Sequence, residues 1–158
     1  MKKYNIAVVG ASGNVGREIL NILDFRTFPF KEIYALASSK SEGQKIIYGN
    51  DKEAIVKDLE KFEFKNVDIV FSSAGSEVSK KFIPKAVKSG AIVIDNTSYF
   101  RMNKDVPLIV PEVNSEDLKD FKKKKIIANP NCSTIQMVMA LKPIHDLFEI
   151  KKIVVSTY

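Results

Sequence analysis

Short apolar runs alternate with amphipathic stretches along the whole chain. NIAVVG (5–10) holds a short apolar run that ends at Gly10 and predicts a buried strand. From Gly13 onward, Val15, Ile19, Ile22 and Leu23 recur at helical spacing. EIYALAS (32–38) predicts a second strand, and KIIYG (45–49) and EAIVKD (53–58) predict two shorter ones. VDIVFSS (67–73) is a further buried strand. The helix after it carries Val78, Phe82 and Ala86 on one face, with Pro84 placed to restart or kink it and Gly90 placed to end it. AIVID (91–95) and KIIAN (125–129) read as strands, PLIVPEV (107–113) reads as extended, and a long helix starts near Cys132. Such alternation, with strands apolar on both faces, predicts an α/β fold: a doubly wound, Rossmann-like parallel sheet covered by helices on both sides. The last segment, KKIVVSTY (151–158), reads as a strand only just begun. Residues 1–148 are therefore expected to form one nucleotide-binding domain, and 149–158 to be the first strand of a second domain that is cut short.

Composition narrows the class. The 158 residues suffice for one ordinary domain with a buried core. No repeat or low-complexity tract is visible, and the apolar runs fall far below the roughly 20 residues of a membrane span. The start, MKKYN, leads straight into a strand rather than a leader. One cysteine forms no internal disulfide, so a reducing, cytoplasmic setting is expected. The net charge of +6 includes four consecutive lysines, Lys122 to Lys125. No aromatic residues interleave with them, so they predict a solvated loop rather than a nucleic-acid surface. Neither a membrane nor a nucleic acid is an expected partner, and no metal site is expected; a basic surface suits an anionic small-molecule substrate.

The first turn, VVGASGNVG, places Gly10, Gly13 and Gly16 three apart. This is not the G-x-G-x-x-G dinucleotide fingerprint, but its logic is similar. Gly10 turns the chain off the strand, Gly13 lets backbone amides approach a pyrophosphate, and Gly16 permits close helix–strand packing. The helix that follows offers unpaired amides and a positive dipole end. An NAD site usually has a carboxylate at the end of the second strand. Here that strand runs into Ser38, Ser39, Lys40 and Ser41, with no carboxylate before Glu42. Hydroxyls and a lysine suit a 2′-phosphate, so NADP is favoured over NAD.

Four strand ends carry small or polar residues: Gly10 to Gly13, Ser72-Ser73-Ala74-Gly75, Asn96-Thr97-Ser98, and Asn129 to Cys132. Parallel strands put all four on one edge, where doubly wound sheets bind ligands. Ser73, Ala74 and Gly75 let the second half of a dinucleotide pass close to backbone. Cys132 is predicted in the first turn of a helix capped by Asn131, a position that favours a thiolate. A buried structural cysteine is the alternative and the commoner fate of a free thiol. A thiolate beside NADP points to thioester chemistry on an aldehyde, with Asn131 and backbone amides as oxyanion donors. Arg101, on the loop after 91–95, suits a phosphate or carboxylate by a fork of hydrogen bonds, unless it is simply a surface arginine. His145 is the sole histidine, 13 residues beyond Cys132 on the same predicted helix. At 1.5 Å per residue that is about 20 Å, too far for it to serve as the base.

GASGNVG, ALASSKSEG, VIDNTSYFRMNKDVPLIVPEVN, NPNCSTIQMVMALKPI and the terminal VVSTY closely resemble the bacterial aspartate-β-semialdehyde dehydrogenases. The resemblance runs from residue 4 to residue 158 and implies the NADP-dependent interconversion of aspartyl phosphate and aspartate semialdehyde. That reaction lies on the route to lysine, threonine and methionine. It implies that Cys132 forms the acyl-enzyme with Asn131 beside it, that Arg101 binds phosphate with Asn96 nearby, and that Ser12, Gly13, Asn14 and Val15 hold the pyrophosphate. Lys40 and Ser41 match the 2′-phosphate site, where the family often has Arg-Ser; a lysine keeps the charge but loses the fork, which softens the preference for NADP. Family members are homo-oligomers of roughly twice this length. Their second domain supplies the histidine base, so a truncated or split chain inactive on its own is expected. N-acetyl-glutamyl-phosphate reductases usually show His-Pro-Gly-Cys instead of Asn-Pro-Asn-Cys. The alternative of another class is a non-catalytic nucleotide-binding module or pseudoenzyme subunit.

Overall fold

The computed structural model describes residues 2–157. Its strands are β1 (Tyr4–Val9), β2 (Phe30–Ala37), β3 (Lys45–Tyr48), β4 (Lys52–Asp58), β5 (Ile69–Ser72), β6 (Ile92–Asp95) and β7 (Ile126–Ala128). They form one sheet in the order β3-β4-β2-β1-β5-β6-β7. The helices are α1 (Asn14–Phe25), α2 (Ser76–Lys88), the single turn α3 (Pro111–Asn114) and α4 (Cys132–Phe148).

β1 is the central strand, and Ile6, Ala7, Val8 and Val9 on it are fully buried. Successive side chains point to opposite faces of a sheet, and here both faces are covered. Ile6 and Val8 share a cluster with Leu20 and Leu23 of α1. Ala7 and Val9 share the other cluster with Phe82, Ile83 and Ala86 of α2. Burial on both sides leaves no polar face, which is why β1 is apolar from Ile6 to Val9. The chain leaves β1 toward β2 on one side and returns toward β5 on the other, so the strand order reverses at β1. A crevice at such a reversal is the usual ligand site of this architecture.

The sheet is parallel except at one edge, where β3 and β4 pair antiparallel. Only residues 49–51 join those strands, and a parallel crossover needs a dozen residues or more. Gly49 (φ +56°) and Asp51 (φ +59°) adopt the left-handed conformation that closes this hairpin. α2 runs unbroken through Pro84, without the predicted restart. Gly90 ends it at φ +103°. Lys122 to Lys125 are exposed, but Lys122 and Lys123 end a 3₁₀ helix, Ser115–Lys123, and only Lys124 and Lys125 form the turn into β7.

Two elements differ from expectation. In 107–113, only Leu108 bridges Ala128, and Pro111 then opens α3. Proline suits the first helical position, where its missing N–H is not needed, so its presence here marks a helix start rather than an extended end. Residues 151–157 form no strand; Tyr158, the last residue of that predicted segment, lies outside the described residues. Among the described residues no helix is long and apolar enough to cross a membrane.

Candidate active site

Cα register lines up one row across the sheet: Leu36 pairs Val9, Val9 pairs Ser72, Ser72 pairs Asp95, and Asp95 pairs Ala128. Each predicted loop begins just beyond that row. The four strand ends named by the sequence pattern therefore do share one edge. Strands stand about 4.8 Å apart, so the glycine loop and the Cys132 loop, three strands apart, are separated by roughly 14 Å.

The first loop is a cradle. Gly10 (φ +84°) takes the conformation that glycine favours, and a Cβ there would lie 2.8 Å from Ser73 Oγ and 3.0 Å from the Ser73 carbonyl carbon. A Cβ on Gly16 would come within 2.2 Å of the Gly10 oxygen, so α1 packs directly on the turn. A Cβ on Gly13 would meet only that same oxygen, at 3.4 Å, and otherwise fill open space. Gly13 caps α1 without any side-chain hydrogen bond. The amides of the first turn, which includes Asn14 and Val15, stay available to an anion. A cleft of about 410 Å³ opens here, lined by Gly10, Ser12, Gly13, Ser38, Ser39, Ser73 and Ala74. Those residues, the open space at Gly13 and the uncapped helix fit a dinucleotide.

The remaining predicted cofactor residues lie at the margins. Lys40 and Ser41 belong to a 3₁₀ turn, Ser39–Ser41, beside the cleft rather than in its wall. Gly75 (φ +90°) is the uncapped N-cap of α2. Glu42 is engaged by Lys61 Nζ at 3.0 Å. That hydrogen bond and the charge of Glu42 hold the Lys61 ammonium above the ordinary lysine range. The cleft wall also contains Leu59, Glu60 and Val78, which the motif reading missed. Leu59 and Glu60 follow β4, so the only signal for them is that β4 lies beside β2 in the sheet.

At the other end of the edge, Arg101 ties two loops together. Its Nε donates to the Asn129 carbonyl at 2.9 Å and its Nη2 to the Asn96 carbonyl at 3.1 Å. Asn129 Nδ2 donates to Asn96 Oδ1. A guanidinium has five N–H groups, so three remain for an anion. Asn131 caps α4, its Oδ1 accepting from the Thr134 amide at 2.8 Å. Its oxygen is thus used, and its Nδ2 is left as the donor. Cys132 is exposed at the first position of α4 and is not packed in the core of this domain. α4 is one continuous helix with His145 in its last turn. His145 lines a separate cavity with Val138, Leu141 and Ile153. About 20 Å of helix separates it from Cys132.

Behind the loops lies a second group that motif reading missed. Asp95 is fully buried. Its Oδ1 accepts from the Thr97 amide at 3.1 Å and Ser79 Oγ at 3.3 Å, and its Oδ2 from Thr97 Oγ1 at 3.0 Å. Ser79 Oγ also meets Ser72 Oγ at 2.8 Å. On the surface, Ser76 Oγ and Ser98 Oγ, 2.7 Å apart, join the start of α2 to the 96–101 loop. Among the described residues no cluster of three or more His, Cys, Asp or Glu could hold a metal.

Residues 5–121 match the model of the semialdehyde dehydrogenase NAD-binding domain. An aspartate-semialdehyde dehydrogenase of Aquifex aeolicus is 58% identical over 98% of this chain and 46% of its own length. Aspartate semialdehyde dehydrogenase II of Vibrio cholerae, solved with ASA, superposes with a TM-score of 0.88 at 49% identity, covering 92% of this chain and 47% of that one. The Candida albicans enzyme, solved with NADP, gives 0.77 at 28% identity, over 94% and 48%. The chain spans about half the length of the curated relatives it matches. It belongs to the semialdehyde dehydrogenase family and contains that family's nucleotide-binding domain.

Proposed function

We propose that the chain is the cofactor-binding and nucleophile-bearing part of an NADP-dependent aspartate-semialdehyde dehydrogenase. The observation that carries this reading is the shared edge: an exposed cysteine at a helix start, beside an arginine with free N–H groups, three strands from a glycine cradle. Cys132 Sγ attacks the acyl carbon of aspartyl phosphate. The carbonyl electrons move onto oxygen, where Asn131 Nδ2 and first-turn amides of α4 supply donors. As the C=O bond re-forms, the C–O bond to phosphate breaks and a thioester remains on Cys132. Phosphate leaves toward the free N–H groups of Arg101 and the Asn96 side chain. A nicotinamide bound in the cleft would supply the hydride that reduces the thioester carbonyl, and Cys132 Sγ would leave as the thiolate as the aldehyde forms. Gly10, Ser12, Gly13, Asn14 and Val15 would hold the pyrophosphate, Ser73, Ala74 and Gly75 would let the nicotinamide half pass, and Ser38, Ser39, Lys40 and Ser41 would receive the ribose end and its 2′-phosphate.

The distance of His145 from Cys132 supports a division of labour in which this chain alone binds nucleotide but does not turn over. Residues 149–158 then lead into the part that supplies the base and the oligomer contacts of a cytoplasmic biosynthetic enzyme. Fluorescence titration with NADPH and NADH tests the first half of this reading, with saturable binding and a preference for NADPH expected. Assay of the purified chain with aspartate semialdehyde, phosphate and NADP⁺ tests the second; turnover at an enzyme-like rate refutes it.

A further inference from the structure

Glu60 is the sole ionisable residue in the wall of the 410 Å³ cleft. A carboxylate is an odd wall for a polyanion, because it repels phosphate at short range. It is consistent only with a part of the ligand that donates hydrogen bonds. The surrounding wall says which part. Leu59, Ala74 and Val78 lie on the α2 side of the sheet, packed at the margin of the same core cluster. Ala37, whose side chain packs in the cluster on the α1 face, adds the end of β2 to the same wall. Apolar faces with one polar group at the edge suit a flat heterocycle. The serines and glycines at the other end of the cleft suit phosphate and ribose.

Glu60 is also held in place. The Leu59 amide donates to the Ala37 carbonyl at 2.9 Å, tying the turn to the end of β2. The Glu60 amide donates to Asp58 Oδ1 at 3.0 Å, and Asp58 is buried. Lys61 Nζ lies 3.5 Å from Asp58 Oδ2 and 3.0 Å from Glu42, linking this turn to the loop after Ser41. The 59–61 turn is thereby braced on two sides, as a recognition group requires.

We propose that Glu60 is the base-selecting residue of the nucleotide site, accepting a hydrogen bond from the exocyclic amine of adenine. An ionised carboxylate only accepts. Hypoxanthine, which carries an oxygen in place of that amine, sets acceptor against acceptor. The inference rests on the nucleotide reading above, and one titration series separates the two. NADPH and its hypoxanthine analogue are titrated by nicotinamide fluorescence into the wild-type chain, E60Q and E60A, with NADH as a third ligand. The chain has no tryptophan to complicate the signal. Wild type favours NADPH over the hypoxanthine analogue about tenfold, since Glu60 is exposed and the charge-assisted bond is partly screened. E60Q, whose amide can accept or donate, and E60A both reduce that ratio to within about twofold, while the NADPH-to-NADH ratio stays unchanged. Equal wild-type binding of the two purine forms, or a ratio that survives in E60Q and E60A, overturns the role of Glu60 and leaves the cofactor reading intact. A rise in the NADPH-to-NADH ratio in E60Q places the carboxylate at the ribose and also overturns it. Absence of saturable NADPH binding removes the reading beneath it.

Discussion

Replacing Asp95 with alanine strikes the buried framework under the candidate substrate loops. In the native chain three donors converge on this carboxylate: the Thr97 amide, Thr97 Oγ1 and Ser79 Oγ. Ser79 keeps a partner after the change, because Ser72 Oγ lies 2.8 Å away. Thr97 loses both of its bonds to Asp95 at a position only 7% exposed. Each buried donor left unpaired costs about 1–3 kcal/mol. Two such donors put D95A near 2–6 kcal/mol, and water entering the vacated space holds the loss toward the lower end, about 3 kcal/mol. D95N retains one acceptor oxygen but turns an amide toward a donor, so about half that loss is expected. Urea unfolding followed by circular dichroism measures both, with an unchanged m-value as the sign that only stability moved. Adding S79A to D95A gives a coupling energy, which is non-zero if the three side chains act as one network. A loss below about 1 kcal/mol for D95A, or full additivity with S79A, refutes the claim that this network braces the 96–101 loop.

Gly16→Ala sets a Cβ within 2.2 Å of the Gly10 oxygen and 2.7 Å of Ala11 Cα, both backbone; a loss of about 3 kcal/mol or more in urea unfolding, with nucleotide binding lost, is expected. Cys132→Ser changes an exposed side chain, so stability stays within about 0.5 kcal/mol of wild type, while iodoacetamide labelling disappears entirely because no other cysteine exists. The hydrogen bond from Lys52 lowers the Asp24 carboxyl below its ordinary range, and the same bond raises the Lys52 ammonium. The stability difference between wild type and K52M is therefore full at pH 6, shrinks as pH falls through the depressed Asp24 value, and shrinks again above the ordinary lysine range. A difference that stays constant from pH 6 to pH 2 contradicts this.

What was legible in the chain follows from what its periodicity encodes. β1 reads as a strand because burial on both faces makes Ile6 to Val9 a continuous apolar run. α1 and α2 read as helices from their apolar spacing; the expected stripe is buried on α2 at Phe82 and Ala86, whereas on α1 Leu23 is buried with Leu20 while Val15 and Ile22 of the expected stripe are exposed. Pairing direction is not encoded in that pattern. β3 and β4 alternate like any half-buried strands, and only the shortness of the 49–51 link forces them antiparallel. The same holds for PLIVPEV, where apolar content suggested a strand and the helix-starting property of Pro111 prevailed.

The site divides along a similar line. Gly10, Cys132 and Arg101 were findable because each sits in a local motif whose chemistry is evident from the neighbouring residues. Asp95 and Glu60 were not, because each acts across the sheet: Asp95 on β6 meets Ser79 of α2, and Glu60 follows β4 into a cleft whose floor is the end of β2. Register joins the two classes. Once Leu36, Val9, Ser72, Asp95 and Ala128 stand in one row, the loops just past that row lie along the same edge of the sheet, whatever motif each belongs to. The end of β4 enters through a further register, with Ala37 opposite Asp58, which carries Leu59 and Glu60 to the rim beside Ser38. A search for functional residues in this fold is therefore better run along the row than along the chain. On that row Asp95, whose role is set by Ser79 across the sheet rather than by its neighbours in the chain, carries as much information as Cys132.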